Sequence, residues 1–188
     1  MNLPNKLTVI RMVLTPVFLV VFLAEAIPYH CFIGLAIYSI GCITDFLDGK
    51  IARKYNLITT FGKLCDPVAD KMLTTAALLA LMDAGLCSLW VVFIVLTREF
   101  AVTSVRLAAS AQGVVIPANV WGKIKTISQM VFTILIMLLA ALAEINVLPD
   151  TFPLATVSSV LLWISAVLAV VSGLIYVKDG VKQIDFNK

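Results

Sequence analysis

The sequence predicts an all-α membrane protein, a bundle of six transmembrane helices. Of its 188 residues, 61% are hydrophobic and only 13% are charged, and the mean hydropathy is +1.04. Soluble domains are about one quarter charged, so the composition argues against a soluble fold. Apolar runs of roughly 20 residues, the length that crosses about 30 Å of hydrocarbon, occur at about 8–24, 31–53, 62–82, 87–108, 124–143 and 152–177.

The six runs differ in their polarity and their ends. In the first, Pro16 predicts a kink or an end, and the lack of a small-residue cleavage pattern favours a retained span over a signal peptide. The second and third contain aspartates, so their apolar cores are shorter than their helices. Pro117 predicts a kink or an end near the fifth run. Residues 1–188 are expected to form one integral-membrane domain.

The charged residues predict the orientation. The connections at about 25–30, 83–87 and 144–151 hold Glu25, Asp83, Glu144 and Asp150 but no Lys or Arg. All 14 basic residues fall at the opposite ends of the runs. By the positive-inside rule that side, with both termini, faces the cytoplasm, as in a bacterial cytoplasmic membrane. A net charge of +3 suits an anionic lipid surface. The basic residues do not form a soluble face of the kind that binds nucleic acid, so nucleic-acid binding is not expected.

Four aspartates occur at the spacing D-x2-D-G-x2-A-R-x8-G-x3-D-x3-D. Asp45 and Asp48 are three residues apart and Asp66 and Asp70 are four apart, so each pair shares a helix face. If the second and third helices are antiparallel neighbours, the four carboxylates converge and repel one another unless cations bind. An all-oxygen donor set favours two Mg²⁺ or Mn²⁺ ions. The structural alternative is charge balance by the nearby basic residues Lys50, Arg53, Lys63 and Lys71.

Residues around the aspartates fit a phosphate ligand. Gly49, Ala52 and Gly62 would allow close approach of a ligand or of another backbone, and Arg53 offers a fixed positive charge. Helix packing and membrane anchoring are the simpler explanations for each residue alone. The four cysteines lack metal-ligand spacing: Cys31 and Cys87 can pair or, like Cys42 and Cys65, can serve as small packing residues.

A second polar group follows in the fourth and fifth runs. Glu99 and Arg106 are seven residues apart on one helix face, so they can pair, or Arg106 can face an anion. Arg98 precedes this pair, and Lys123 and Lys125 enter from the next helix. A basic pocket beside a metal site would suit an acceptor that is itself a phosphate ester. Membrane anchoring is the alternative for these cations.

The segment from Asp45 to Asp70 resembles the signature of the CDP-alcohol phosphotransferase family at every defined position. The resemblance implies a six-helix, homodimeric membrane enzyme in which an alcohol displaces CMP from a CDP-linked lipid. It implies that Asp45, Asp48, Asp66 and Asp70 hold the two ions and that Asp70 is the general base. Gly49, Ala52, Arg53 and Gly62 would hold the CDP group.

The acceptor is indicated by less defined residues. The chain is similar to the branch of the family that uses CDP-diacylglycerol as donor and sn-glycerol 3-phosphate as acceptor. The residues implied for the acceptor phosphate are Thr59, Arg98, Arg106, Lys123 and Lys125. Alternatives are a sibling enzyme using serine, inositol phosphate or phosphatidylglycerol, and a covalent phosphatidyl-enzyme mechanism. From other classes, a divalent-cation transporter or a purely structural membrane protein stay open.

Overall fold

The chain folds into six α-helices in a computed structural model that describes residues 2–54, 59–114, 116–117, 119–149 and 151–182. The helices are α1 (Leu3–Leu23), α2 (His30–Lys54), α3 (Thr60–Asp83), α4 (Leu89–Ala111), α5 (Val120–Glu144) and α6 (Leu154–Val181). These residues contain no strand. The prediction of an all-helical chain with six long helices is therefore confirmed.

Local chemistry sets where the helices begin and end. Thr59, Ser88 and Asn119 precede α3, α4 and α5, and each side chain accepts a hydrogen bond from a backbone N–H in the first turn. Gly113, with φ of 74°, follows α4 in the left-handed conformation that glycine adopts without strain. Pro16 lies inside α1 and does not end it, whereas Pro117 lies in the connection before α5.

Four of the helices are long and apolar enough to cross a membrane, which supports an integral membrane protein. They are Leu3–Leu23, His30–Ile51, Val120–Glu144 and Leu154–Val181. The other two helices have similar lengths but carry more charge. Asp66, Asp70 and Lys71 interrupt α3, and Arg98 and Glu99 lie in the middle of α4. These charges belong to the candidate site described below.

The helices pack as two groups of three. The first helix, α1, packs against α2 and α3, while α6 packs against α4 and α5, and contact between α2 and α5 joins the groups. The antiparallel neighbours α2 and α3 touch each other less than each touches α1. Close approach depends on small residues: a Cβ on Gly41 of α2 would lie 2.7 Å from Leu73 Cδ2 of α3.

The distribution of polarity suits a lipid environment. Large apolar side chains such as Val20, Phe93 and Leu174 are more than half exposed, whereas Thr8 and Arg11 are fully buried. Such a surface requires a hydrocarbon solvent or a partner. All four cysteines are free thiols. Burial raises the pKa of Cys87, in the connection between α3 and α4, to about 11, so it stays protonated and unreactive at neutral pH.

Candidate active site

A cavity of about 1380 Å³ lies among the helices, and all six contribute to its wall. The wall is largely apolar and bears acidic groups from α2, α3 and α4 and basic groups from α3, α4 and α5. Among the lining residues are Thr15, Asp45, Asp70, Arg98, Glu99, Arg106, Lys123 and Tyr176. The cavity therefore brings two of the predicted aspartates together with three of the predicted acceptor residues.

Asp45 is held by an arginine from the first helix. Arg11 Nη1 lies 2.5 Å from Asp45 Oδ1. The arginine side chain is fully buried, while 36% of the aspartate side chain is exposed. Short charge-assisted contacts of this kind fix the orientation of a carboxylate. Sequence reasoning assigned the balancing charges to other basic residues, but Lys50 lies over the Phe46 ring.

Asp66 also receives a hydrogen bond from α1. Thr8 Oγ1 donates to Asp66 Oδ1 across 2.5 Å. Thr8 and Arg11 are three residues apart, so one face of α1 reaches Asp66 on α3 and Asp45 on α2. The first helix thus fixes two carboxylates of the cluster from between the helices that carry them.

The N-terminus of α3 is also tied to α1. Thr59 Oγ1 accepts a hydrogen bond from Gly62 N and donates one to Asn5 Oδ1 across 2.9 Å. A Cβ on Gly62 would lie 3.2 Å from Asn5 Oδ1 and 3.4 Å from Asp66 Oδ2, so a side chain at this position would crowd the carboxylate. Thr59 does not occur among the described residues that line the cavity. Its hydroxyl acts as a helix cap there.

Part of the predicted signature lies outside the described residues. The side chains of Asp48, Ala52 and Arg53 fall in that part, and so does the side chain of Lys63. The backbone of α2 continues through these positions to Lys54. Their assigned roles stay predictions.

The described aspartates offer the oxygen ligands that a hard divalent cation prefers, although one donor atom from each of the three does not come within 4.8 Å of the other two. Asp45, Asp66 and Asp70 carry oxygen donors on two helices; Asp45 and Asp70 line the cavity, Asp66 does not, and the cavity lining contains no described His or Cys. Mg²⁺ and Mn²⁺ prefer such oxygen ligands. Among the described contacts, Arg11 is the ion-pair partner of Asp45.

Glu99 forms ion pairs with two basic side chains, Arg98 of α4 and Lys125 of α5. Arg98 Nη1 lies 2.8 Å from Glu99 Oε1, and Lys125 Nζ lies 2.7 Å from the same oxygen. The Lys125 side chain is only 4% exposed and is not part of the cavity lining. One carboxylate between two cations leaves a net positive cluster at this side. The pairing of Glu99 with Arg106, one of two arrangements that the sequence allowed, does not form.

Arg106 is placed at the cavity by α6. Its Nε donates to Tyr176 Oη across 3.3 Å, and its guanidinium lies 5.7 Å from the centre of the Tyr176 ring. Arg106 and Lys123 are exposed and line the cavity, so both present charge to its interior. Lys71, near the aspartates, donates to Thr103 Oγ1 of α4.

Several functional contacts were missed by sequence reasoning. Asn5, Thr8 and Arg11 were given no role from the sequence, although an arginine inside an apolar run is itself a signal for function. Nothing in the sequence pointed to Tyr176. Gln129 also lines the cavity, and its Oε1 is buried without a hydrogen-bond partner, so it can accept a hydrogen bond from a ligand.

Comparison with known proteins shows the family of the chain. The family model described as CDP-alcohol phosphatidyltransferase matches residues 1–171. A CDP-diacylglycerol–glycerol-3-phosphate 3-phosphatidyltransferase from Bacillus subtilis (strain 168) is 39% identical over 183 residues, which cover 92% of this chain and 91% of that protein. A protein of the same name from Rickettsia bellii (strain RML369-C) is 35% identical over 177 residues, covering 94% of each.

Proposed function

The chain belongs to the CDP-alcohol phosphatidyltransferase family, and from this premise we propose that it transfers the phosphatidyl group of CDP-diacylglycerol to sn-glycerol 3-phosphate. The products are phosphatidylglycerophosphate and CMP. The single observation that carries the assignment to this site is the cavity whose lining combines an acidic wall, with Asp45 and Asp70, and a basic wall, with Arg98, Arg106 and Lys123. Membership of a transferase family leaves the transporter and purely structural alternatives without support.

The acidic wall is the proposed metal site. The family generally uses divalent metals, and Asp45, Asp66 and Asp70, with Asp48, would hold Mg²⁺ or Mn²⁺, two per site. Bound there, the ions would neutralise the pyrophosphate of the donor and the departing CMP. Thr8 and Arg11 orient the carboxylates before any ion arrives, because their contacts do not depend on a metal.

The donor nucleotide is proposed to bind beside these aspartates. Gly49, Ala52, Arg53 and Gly62 would contact the CDP group, with Arg53 pairing with a phosphate. The close contacts of Gly62 support a role at this position, since a side chain there would press against Asn5 and Asp66. The apolar part of the cavity wall suits the acyl chains of the donor.

Asp70 is the proposed general base. It lines the cavity, one turn beyond Asp66 on α3. In the proposed step, Asp70 takes the proton of the acceptor hydroxyl while the hydroxyl oxygen bonds to the lipid-linked phosphorus. The bond from that phosphorus to the CMP oxygen breaks, and CMP leaves with the bonding electrons. Direct displacement is preferred to a covalent intermediate because Asp70 already supplies the base that this step needs.

The basic wall is proposed to hold the phosphate of the acceptor. Arg106 and Lys123 carry exposed charge at the cavity, whereas Arg98 and Lys125 already share Glu99. We assign direct contact to the first two and electrostatic support to the second two. Thr59 is proposed to act through the N-terminus of α3, because its hydroxyl is engaged with Asn5 and Gly62.

The charged residues that line the cavity also bear on how the helices cross the membrane. We propose that all six helices cross the bilayer, as one domain over residues 1–188 with both termini in the cytoplasm. The charges of α3 and α4 that line the cavity are thereby kept from lipid. The site would open to the cytoplasmic face of a bacterial membrane, where the soluble acceptor arrives. A homodimer is proposed from the family resemblance alone.

An acceptor panel tests the function. Purified protein is supplied with CDP-diacylglycerol, Mg²⁺ and one of sn-glycerol 3-phosphate, serine, inositol phosphate or phosphatidylglycerol, and CMP release is followed. CMP release with sn-glycerol 3-phosphate alone is expected. Release with another acceptor in its place would reassign the substrate. Labelled CMP that exchanges into CDP-diacylglycerol without any acceptor would establish the covalent route instead.

A further inference from the structure

Three metal-binding side chains meet at the end of the bundle opposite the aspartates. His30 and Cys31 begin α2, and Glu144 ends α5. One donor atom from each lies within 4.8 Å of the other two. All three side chains are buried or half-buried. The cluster shares no residue with the proposed active site and does not depend on the proposed function.

The surrounding backbone orients two of the three donors. His30 Nδ1 lies 2.7 Å from Phe22 O, the contact of an N–H that donates to a carbonyl. Glu144 Oε2 accepts a hydrogen bond from Cys31 N across 3.1 Å. The remaining atoms, His30 Nε2 and Glu144 Oε1, then face each other 3.8 Å apart. A histidine that donates its other N–H to a backbone carbonyl is the usual arrangement at a protein metal site.

We propose that His30, Cys31 and Glu144 bind one divalent transition-metal ion of the zinc type. In a tetrahedral zinc site the donor atoms are about 3.5 Å apart. Cys31 Sγ lies 3.7 Å from His30 Nδ1 and 4.0 Å from His30 Nε2, and the histidine and glutamate donors are 3.8 Å apart, so the Cys31 side chain has to rotate toward Nε2 as the ion binds. Mixed nitrogen, sulfur and oxygen donors favour zinc over Mg²⁺ or Ca²⁺.

Charge also favours an ion at this position. On binding, the Cys31 thiol releases its proton to solvent, and the thiolate and the Glu144 carboxylate together neutralise a divalent cation. A neutral site is the least costly form at the edge of a bilayer. Glu144 stands at the C-terminus of α5, where the helix dipole disfavours a carboxylate and favours a cation beside it. Three protein ligands leave a fourth position for water.

Cobalt spectroscopy tests the site on the intact protein. Metal-free protein in detergent is given excess Mg²⁺, which occupies the oxygen donors of the aspartates, and is then titrated with Co²⁺. We expect thiolate-to-cobalt absorption in the near ultraviolet that saturates at one equivalent per chain. The aspartates cannot produce this band because they contain no sulfur. Absence of the band in the wild-type protein would overturn the proposal without recourse to any variant.

Variants then locate the site. Cys31→Ser is expected to abolish the band, and His30→Ala and Glu144→Gln to weaken Co²⁺ binding at least tenfold. Cys87→Ser is the matched control, a buried thiol at the same end of the bundle, and should keep the full band. Zn²⁺ should raise the Tm of the wild type but not of Cys31→Ser. A band that survives Cys31→Ser would show that the cluster is only a hydrogen-bonded junction of α2 and α5.

Discussion

Arg11 of α1 and Asp45 of α2 form an ion pair with 2.5 Å between Nη1 and Oδ1. The arginine is fully buried, so this positive charge is a fixed part of the protein interior. The aspartate is partly exposed at the cavity and remains available to a second cation. The acidic site is therefore partly neutralised before metal binds, which limits the repulsion among its carboxylates.

Replacing Arg11 should make the stability of the protein depend more strongly on divalent metal. Arg11→Ala is expected to lower the stability of metal-free protein by about 2 kcal/mol, a value between those of exposed and fully buried ion pairs. Saturating Mg²⁺ should restore part of the loss, since it supplies positive charge at the same carboxylates. Thermal unfolding with and without Mg²⁺ measures both effects, with Arg11→Lys as the charge-retaining control. Equal losses in Tm under the two conditions would contradict this account.

Asp70→Asn should remove the base and keep the fold. We expect kcat for CMP release to fall by about 10²- to 10⁴-fold, the usual contribution of a general base. Asp83→Asn is the matched control, because Asp83 is exposed at the other end of the same helix. Its kcat should be that of the wild type. Near-normal turnover by Asp70→Asn would assign the base to another group.

The sequence predicted those features that depend on the residues of a single helix, such as its position and the side chains that share one of its faces. Apolar runs located all six helices, and two of the four spaced aspartates, Asp45 and Asp70, line one cavity. Pro16 was read as a possible end, yet α1 continues through it, since the apolar surface on both sides of the proline still packs against α2 and α3.

Contacts between distant helices were beyond reach of the sequence. The pattern could not show that α1 lies against both α2 and α3, so the roles of Thr8 and Arg11 were missed. Helical spacing allowed Glu99 to pair with Arg106, but Lys125 of α5 reaches Glu99 instead, because α4 and α5 both pack against α6. Tyr176 lies 70 residues from Arg106, and no local periodicity links them.

Thr8→Val should weaken metal binding through Asp66. Valine has nearly the same shape as threonine but cannot donate the 2.5 Å hydrogen bond that orients the carboxylate. Loss of such a supporting contact typically costs about 10- to 100-fold in metal affinity. The Mg²⁺ concentration for half-maximal activity should therefore rise at least tenfold. Thr133→Val, a buried threonine of α5 away from the cavity, should leave it unchanged, and an equal effect from both variants would refute the assignment.

Two glycine variants should separate binding from packing. A Cβ on Gly62 would crowd Asn5 and Asp66 at the proposed nucleotide site, so Gly62→Ala should raise the KM for CDP-diacylglycerol with little change in Tm. A Cβ on Gly41 would lie 2.7 Å from Leu73 Cδ2. Gly41→Ala should therefore destabilise the bundle by about 1–3 kcal/mol with an unchanged KM. Kinetics and thermal unfolding of both proteins check this, and a shared loss of stability without a KM effect would argue that Gly62 serves packing alone.

Arg106→Ala should mainly weaken the binding of the acceptor. Removing a charge that binds the acceptor phosphate equally in the ground and transition states raises KM and leaves kcat nearly unchanged. We expect the KM for sn-glycerol 3-phosphate to rise at least tenfold, with the KM for the donor unaffected. Tyr176→Phe keeps the ring beneath the guanidinium but loses the 3.3 Å hydrogen bond, so its effect should have the same direction and be smaller. Lys178→Ala, an exposed cation outside the cavity, is the control. If the acceptor KM of Arg106→Ala is unchanged, the binding of the acceptor phosphate has to be assigned to Lys123 and the cluster around Glu99 instead.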